Sequence, residues 1–177
     1  MSDHYVTLVV QRTTEDTVEA DAKQLIHFLI ENKIVVKMPT EDLKFKPGPD
    51  FESIVTEPDL RTLTLSWNEA EILKGRQIFS EAECAEFQLT CNRCHENFDG
   101  FKSPTIDVIG AFSEDTGDVF KCSKCGFEEN LRLTTTKGFA AGFLGVQFWN
   151  WGHLKDDFVS TISKEMNSKI TVINGHL

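Results

Sequence analysis

Two short cysteine pairs constrain this chain more than any other feature. Cys91-Asn92-Arg93-Cys94 and Cys122-Ser123-Lys124-Cys125 are both C-x2-C, with 27 residues between them. The spacing makes each pair a tight knuckle whose two sulfurs converge on one ion. Two knuckles then supply four thiolates for a tetrahedral Zn2+, at Zn–S distances of about 2.3 Å. Gly126 follows the second pair, where a knuckle commonly needs positive φ. Phe87-Gln88-Leu89 and the stretch from Phe127 to Leu133 read as flanking strands, so the pattern predicts a zinc ribbon.

Other cysteine chemistries fit less of the pattern. Cys91-Asn92-Arg93-Cys94-His95 also spells the c-type haem attachment motif, but that leaves Cys122 and Cys125 without a role. A thioredoxin-like redox pair wants one C-x-x-C at a helix N-terminus, not two pairs between strands. His95 is an alternative ligand, although a solvent-facing knuckle position suits it better. Cys84 lies outside both knuckles and reads as a small apolar packing residue. Four thiolates fill the metal shell, whereas a catalytic zinc keeps an open position. No H-x-E precedes the cysteines, so a zinc deaminase is not expected. The metal is therefore expected to be structural.

Around the cysteines the hydrophobic pattern predicts an α+β fold. Tyr5 to Val10 is a β-branched run suited to a strand, and Thr13-Thr14-Glu15-Asp16 offers a helix start. Val18, Ala22, Leu25, Ile26 and Leu29 then line one face of a helix from about Asp16 to Asn32, and Ile34-Val35-Val36 reads as a strand. Further along, the pattern predicts a short strand at Leu43–Phe45, a half-buried strand on Leu63, Leu65 and Trp67, and a short helix from Glu69 to Phe79. At the other end Leu154, Phe158, Ile162 and Met166 recur every four residues, and Ile170-Thr171-Val172-Ile173 is a final strand. The two halves predict a split β-α-β (ferredoxin-like) sheet with helices on one face. Residues 1–83 and 136–177 form the expected core domain, with a zinc-ribbon insertion at 84–135. No internal repeat of 20–50 residues stands out.

Charge and the remaining motifs narrow the function. The 18 basic and 28 acidic residues leave a net charge of −10. The stretch 84–135 is itself net acidic even though ribbons often bind nucleic acid, so nucleic-acid binding is not expected. No run of about 18 apolar residues is present, so no helix is expected in a membrane. The opening Met-Ser-Asp-His-Tyr has no basic n-region, so the expected compartment is the cytoplasm. Neither phosphate-loop motif occurs, and Gly138, Gly142 and Gly145 suggest close backbone packing or turns. The acids Asp156 and Asp157 beside His153 are accounted for by a helix N-terminus. His27 on the first helix reads as a boundary residue. No catalytic constellation is recognisable. Trp149 and Trp151 could anchor the core or contact a partner.

The two knuckles, the segment Phe148-Trp149-Asn150-Trp151 and the closing helix and strand carry a resemblance. The chain resembles a group of small uncharacterised bacterial zinc-ribbon proteins with two C-x2-C pairs ahead of an F-W-N-W segment. Such chains are sometimes labelled sugar-transporter ATPases, a label without support here because no Walker motif exists. The resemblance implies a bacterial, zinc-containing α+β protein and brings no activity. The expectation is a non-enzymatic, protein-binding module with a basic protein partner, one form being an immunity protein that neutralises a basic toxin. The alternative is a nucleic-acid adaptor, or an enzyme that uses zinc only structurally.

Overall fold

The computed structural model describes residues 3–39, 41–57, 68–81 and 87–176. Its main sheet has six antiparallel strands in the order β11-β1-β10-β4-β3-β2. They are β1 (His4–Val10), β2 (Val35–Met38), β3 (Glu41–Pro47), β4 (Ala70–Ser80), β10 (Phe139–Trp149) and β11 (Ile170–His176). Helix α1 (Val18–Glu31) lies in the connection from β1 to β2, and α3 (Asp156–Glu165) joins β10 to β11. The cysteine region carries the short strands β5 (Gln88–Thr90), β6 (Asn97–Asp99), β7 (Val119–Lys121), β8 (Glu128–Asn130) and β9 (Thr135–Lys137), and helix α2 (Thr105–Ser113).

Alternation in β1 sorts the core into two layers. Leu8 and Val10 join a large cluster with Leu25 and Leu29 of α1 and Phe158 and Ile162 of α3. Val9 points the other way, into a smaller cluster with Phe79, Ala140 and Ile173. The period-2 pleat alone produces this division. The first helix begins at Val18, one turn later than its capping residues suggest. Thr13 and Thr17 spend their hydroxyls on the buried Asp21 carboxylate, at 2.8 and 2.9 Å, instead of on helix N–H groups.

The segment expected to be a helix from Glu69 to Phe79 is the strand β4. Gly75 sits at φ +101°, which a helix forbids, and β4 pairs with β10 from Ala70↔Phe148 to Ser80↔Phe139. Tertiary pairing overrides a local preference that was weak to begin with. Helix α2 was not foreseen. The expected strand on Leu63, Leu65 and Trp67 lies outside the described residues, as does Cys84.

Glycines in β10 make the sheet curl possible. A Cβ at Gly145 would stand 2.8 Å from Phe79 Cε1, and one at Gly142 would stand 2.8 Å from Val9 Cγ1. The Phe79 ring fills the space that a side chain at Gly145 would need and stands 3.3 Å from a Cβ placed at Gly142, so the close-packing expectation for these glycines describes the structure. A register shift between Gly142 and Leu144 bends the β4–β10 ribbon. The end of β4 thereby folds toward β1, where the Tyr5 hydroxyl donates to the Ser80 carbonyl at 2.8 Å.

Gly145→Ala is expected to lose about 1–3 kcal/mol of stability through overpacking against Phe79. Gly110→Ala, in α2 where an added Cβ meets nothing within 4 Å, is expected to gain up to about 1 kcal/mol. Urea denaturation of the two variants beside the parent checks both signs.

Candidate metal centre

Each knuckle closes a hairpin, and the two hairpins are alike. β5 pairs with β6 from Gln88↔Asp99 to Thr90↔Asn97, and β7 pairs with β8 from Val119↔Asn130 to Lys121↔Glu128. The Cys91 N–H donates to the Glu96 carbonyl at 2.9 Å, and the Cys122 N–H to Phe127 at 2.8 Å. The N–H of His95 returns to Cys91 and that of Gly126 to Cys122, both at 2.9 Å. His95 and Gly126 both take positive φ, 58° and 70°. The hairpin unit thus recurs at an offset of 31 residues. Sequence inspection finds no repeat because backbone bonds and the cysteines carry it, while most other side chains differ.

All four expected ligands come together. The Sγ atoms of Cys91, Cys94, Cys122 and Cys125 lie within 4.8 Å of one another. Cys91 Sγ is 3.8 Å from Cys125 Sγ, and Cys94 Sγ is 3.7 Å from Cys122 Sγ. A tetrahedron with metal–sulfur bonds of about 2.3 Å has edges of about 3.8 Å, so the sulfurs fit an S4 metal shell. Cys91 and Cys122 are buried, while Cys94 and Cys125 are half-buried. His95 is exposed and stands outside this group.

The thiols are unequal. Backbone donation from Glu96 favours the Cys94 thiolate, but burial and the three neighbouring sulfurs outweigh it and push the group up to about 12. Burial also opposes the Cys122 thiolate, yet the N–H groups of Cys125 and Lys124 and the thiols of Cys125 and Cys91 bring it down to about 7. One thiolate is thus ready near neutral pH and another forms only when a cation displaces its proton.

Contacts between the hairpins hold the cluster in shape. Asn92 in the first knuckle donates through Nδ2 to Glu129 of β8 at 2.7 Å and to the Leu133 carbonyl at 3.0 Å. It accepts from the Thr135 hydroxyl of β9 at 2.8 Å. Lys124 in the second knuckle pairs with Glu96, and Arg93 in the first lies over the Phe127 ring at 6.0 Å.

Two arginines fasten this unit to the main sheet. Arg132 donates to the Thr13 carbonyl at 2.7 Å, with its guanidinium 5.5 Å from the Phe143 ring of β10. Arg76 of β4 lies 4.4 Å from the Phe112 ring of α2 and pairs with Asp115 at 2.8 Å. Burial pulls the Arg132 pKa down and the Asp118 carboxylate opposes that. Neither residue was singled out from sequence. Only the fold brings Phe143 and Phe112 beneath them.

The two tryptophans part company. Trp151 is 1% exposed, between Phe148 and Phe51 at 4.9 and 5.6 Å. It is a core anchor, which corrects the expectation that it could contact a partner. Trp149 is half-buried, 4.9 Å from the Tyr5 ring. His27, His153, Asp156 and Asp157 are all exposed, with the two acids in the first turn of α3. Among the described residues the four cysteines form the one group able to hold a metal, and no helix there is long and apolar enough to cross a membrane.

No family model, curated protein or solved structure matches this chain.

Metal binding must displace thiol protons, so apparent affinity is expected to rise with pH between about 6 and 9. The sign follows from Cys94, whose raised pKa leaves a proton to be displaced across that range. Competition titration with a chromophoric chelator at several pH values measures it. Cys125→Ser is expected to weaken binding and remove amide protection from β5–β8.

Proposed function

We propose that this chain is a non-enzymatic, zinc-containing protein-binding module whose partner is a basic protein. The observation that carries the reading is the commitment of every base in the cysteine region. Lys102 pairs with Asp99 at 3.1 Å, Lys121 with Glu128 at 2.8 Å, and Lys124 with Glu96. Arg93 faces an aromatic ring and Arg132 is spent on backbone carbonyls. A ribbon that reads nucleic acid needs cations free to meet phosphate. Here the bases neutralise neighbours or fasten the fold, on a chain of net charge −10. Such a field slows encounter with polyanions and speeds encounter with cationic surfaces.

Zinc is the metal of this reading because four thiolates in a reducing compartment select it, with iron the other common occupant of an S4 shell. The filled shell supports a structural role. The core at 1–83 and 136–177 and the insertion at 84–135 belong to the same reading. Separate small sheets in the cysteine region support it. The finer fold assignment is a split β-α-β, ferredoxin-like core. Its support is that β1 and β4 run the same way on either side of β10, while β10 and β11 flank β1 in the same manner. We place the protein in the bacterial cytoplasm, as a relative of the zinc-ribbon group that its knuckles and F-W-N-W segment resemble. An immunity protein that captures a basic toxin is the specific form of this function.

Elemental analysis is expected to find one zinc per chain, and stoichiometric iron would overturn the metal assignment. In a salt titration, random-sequence duplex DNA is expected to bind more weakly than about 10⁻⁴ M near physiological salt, beyond the non-specific range of DNA-binding proteins. Binding near about 1 µM, the tight end of that range, would replace this reading with the nucleic-acid adaptor.

A further inference from the structure

An open cleft of about 510 Å³ lies between the C-terminal end of α1, the 3-10 turn Phe51–Ile54 and the start of α3. Its floor is apolar: Ile34 and Ile54 are each 4% exposed and Phe158 is 7% exposed. The floor is also backed by the core, since Phe158 meets Phe148 at 6.2 Å. The walls are tied together by the Lys155 N–H donating to the Ile54 carbonyl at 2.8 Å and the Thr56 N–H donating to His153 at 2.9 Å. The site is therefore built before any ligand arrives.

The lining favours a cation. Asp50 and Asp157 present two carboxylates, against one ammonium, Lys155, whose Nζ already donates to the Ser53 carbonyl at 2.8 Å. Asn32 caps α1, and its Nδ2 donates to the Phe28 carbonyl at 2.8 Å, so the end of that helix adds a satisfied polar rim and no positive charge to the lining. The positive pole of α3 is offset by its own Asp156 and Asp157.

We propose that this cleft receives an arginine side chain of a basic partner protein. The inference rests on the acidic-binder reading above and adds the place and the residue. An arginine has an apolar stem for the floor formed by Ile34, Ile54 and Phe158. Its planar fork of five donors suits carboxylate acceptors such as Asp50 and Asp157, and Arg is enriched among interface residues that carry binding energy. Lysine offers a point charge without that planar fork.

Backbone-amide NMR of the full-length, metal-loaded protein tests this, with Nα-acetyl-arginine methylamide as the probe and the uncharged citrulline analogue as control. Saturable shifts at Asn32, Ser53 and Thr161 with the arginine probe alone are expected. Shifts scattered over the surface, or equal shifts with citrulline, would overturn the assignment. An octa-arginine peptide is then titrated into the parent, into Asp50→Asn/Asp157→Asn, and into Glu15→Gln/Asp16→Asn as a charge-matched control at exposed positions. About a tenfold loss, some 1.4 kcal/mol, is expected in the cleft variant, with little change in the control. Equal binding by all three would remove the cleft while leaving the acidic binder standing. No binding by the parent would remove both.

Discussion

The packing of one aromatic ring on two glycines underlies the arrangement of the main sheet. β10 is buried on both faces, so it must satisfy the helix layer and the smaller layer together. Phe79 approaches the backbone of β10 closely enough that a methyl group at Gly145 would collide with it. That approach lets the far end of β4 fold over toward β1 and close the smaller core around Val9 and Ile173. With ordinary side chains at 142 and 145 the ring would be held off, and the ribbon could not bend in the same way.

The cysteine region depends on two further kinds of interaction. Strands of three residues form no independent sheet of useful stability, and the sulfur shell is what can join one hairpin to the other. Side-chain bonds from Asn92 and Lys124 fix their relative orientation. The pair is then seated on the main sheet through Arg132, Arg76 and the rings of Phe143 and Phe112. A half-buried guanidinium is tolerated there because backbone carbonyls and aromatic faces replace part of its hydration.

These fastenings also bear on function. The lysines of the cysteine region stay at the surface, but each has a carboxylate beside it, which reduces the positive field that a polyanion would meet. The acids outnumber them, so the outward field of the molecule is negative. Structural demand on the few bases and a negative outward field are therefore two consequences of one composition.

The sequence by itself determined the two cysteine knuckles, because C-x2-C is a local geometry, while the meeting of their four sulfurs is tertiary. It also determined α1, α3 and the strands beside them, since the positions of Val18 to Leu29 and of Leu154 to Met166 repeat at the helical period. It did not determine β4, whose Gly75 and mixed polar content say little until β10 lies alongside. Nor did it determine the fate of the two tryptophans: Trp149 and Trp151 have the same parity along the chain, but β10 ends at Trp149, and Asn150 turns left-handed at φ 60° before Trp151 enters the core. The arginine fastenings and the cleft beside α3 join residues far apart in the chain. Such sites have no spacing to read, because contact between remote side chains is fixed only when the layers pack.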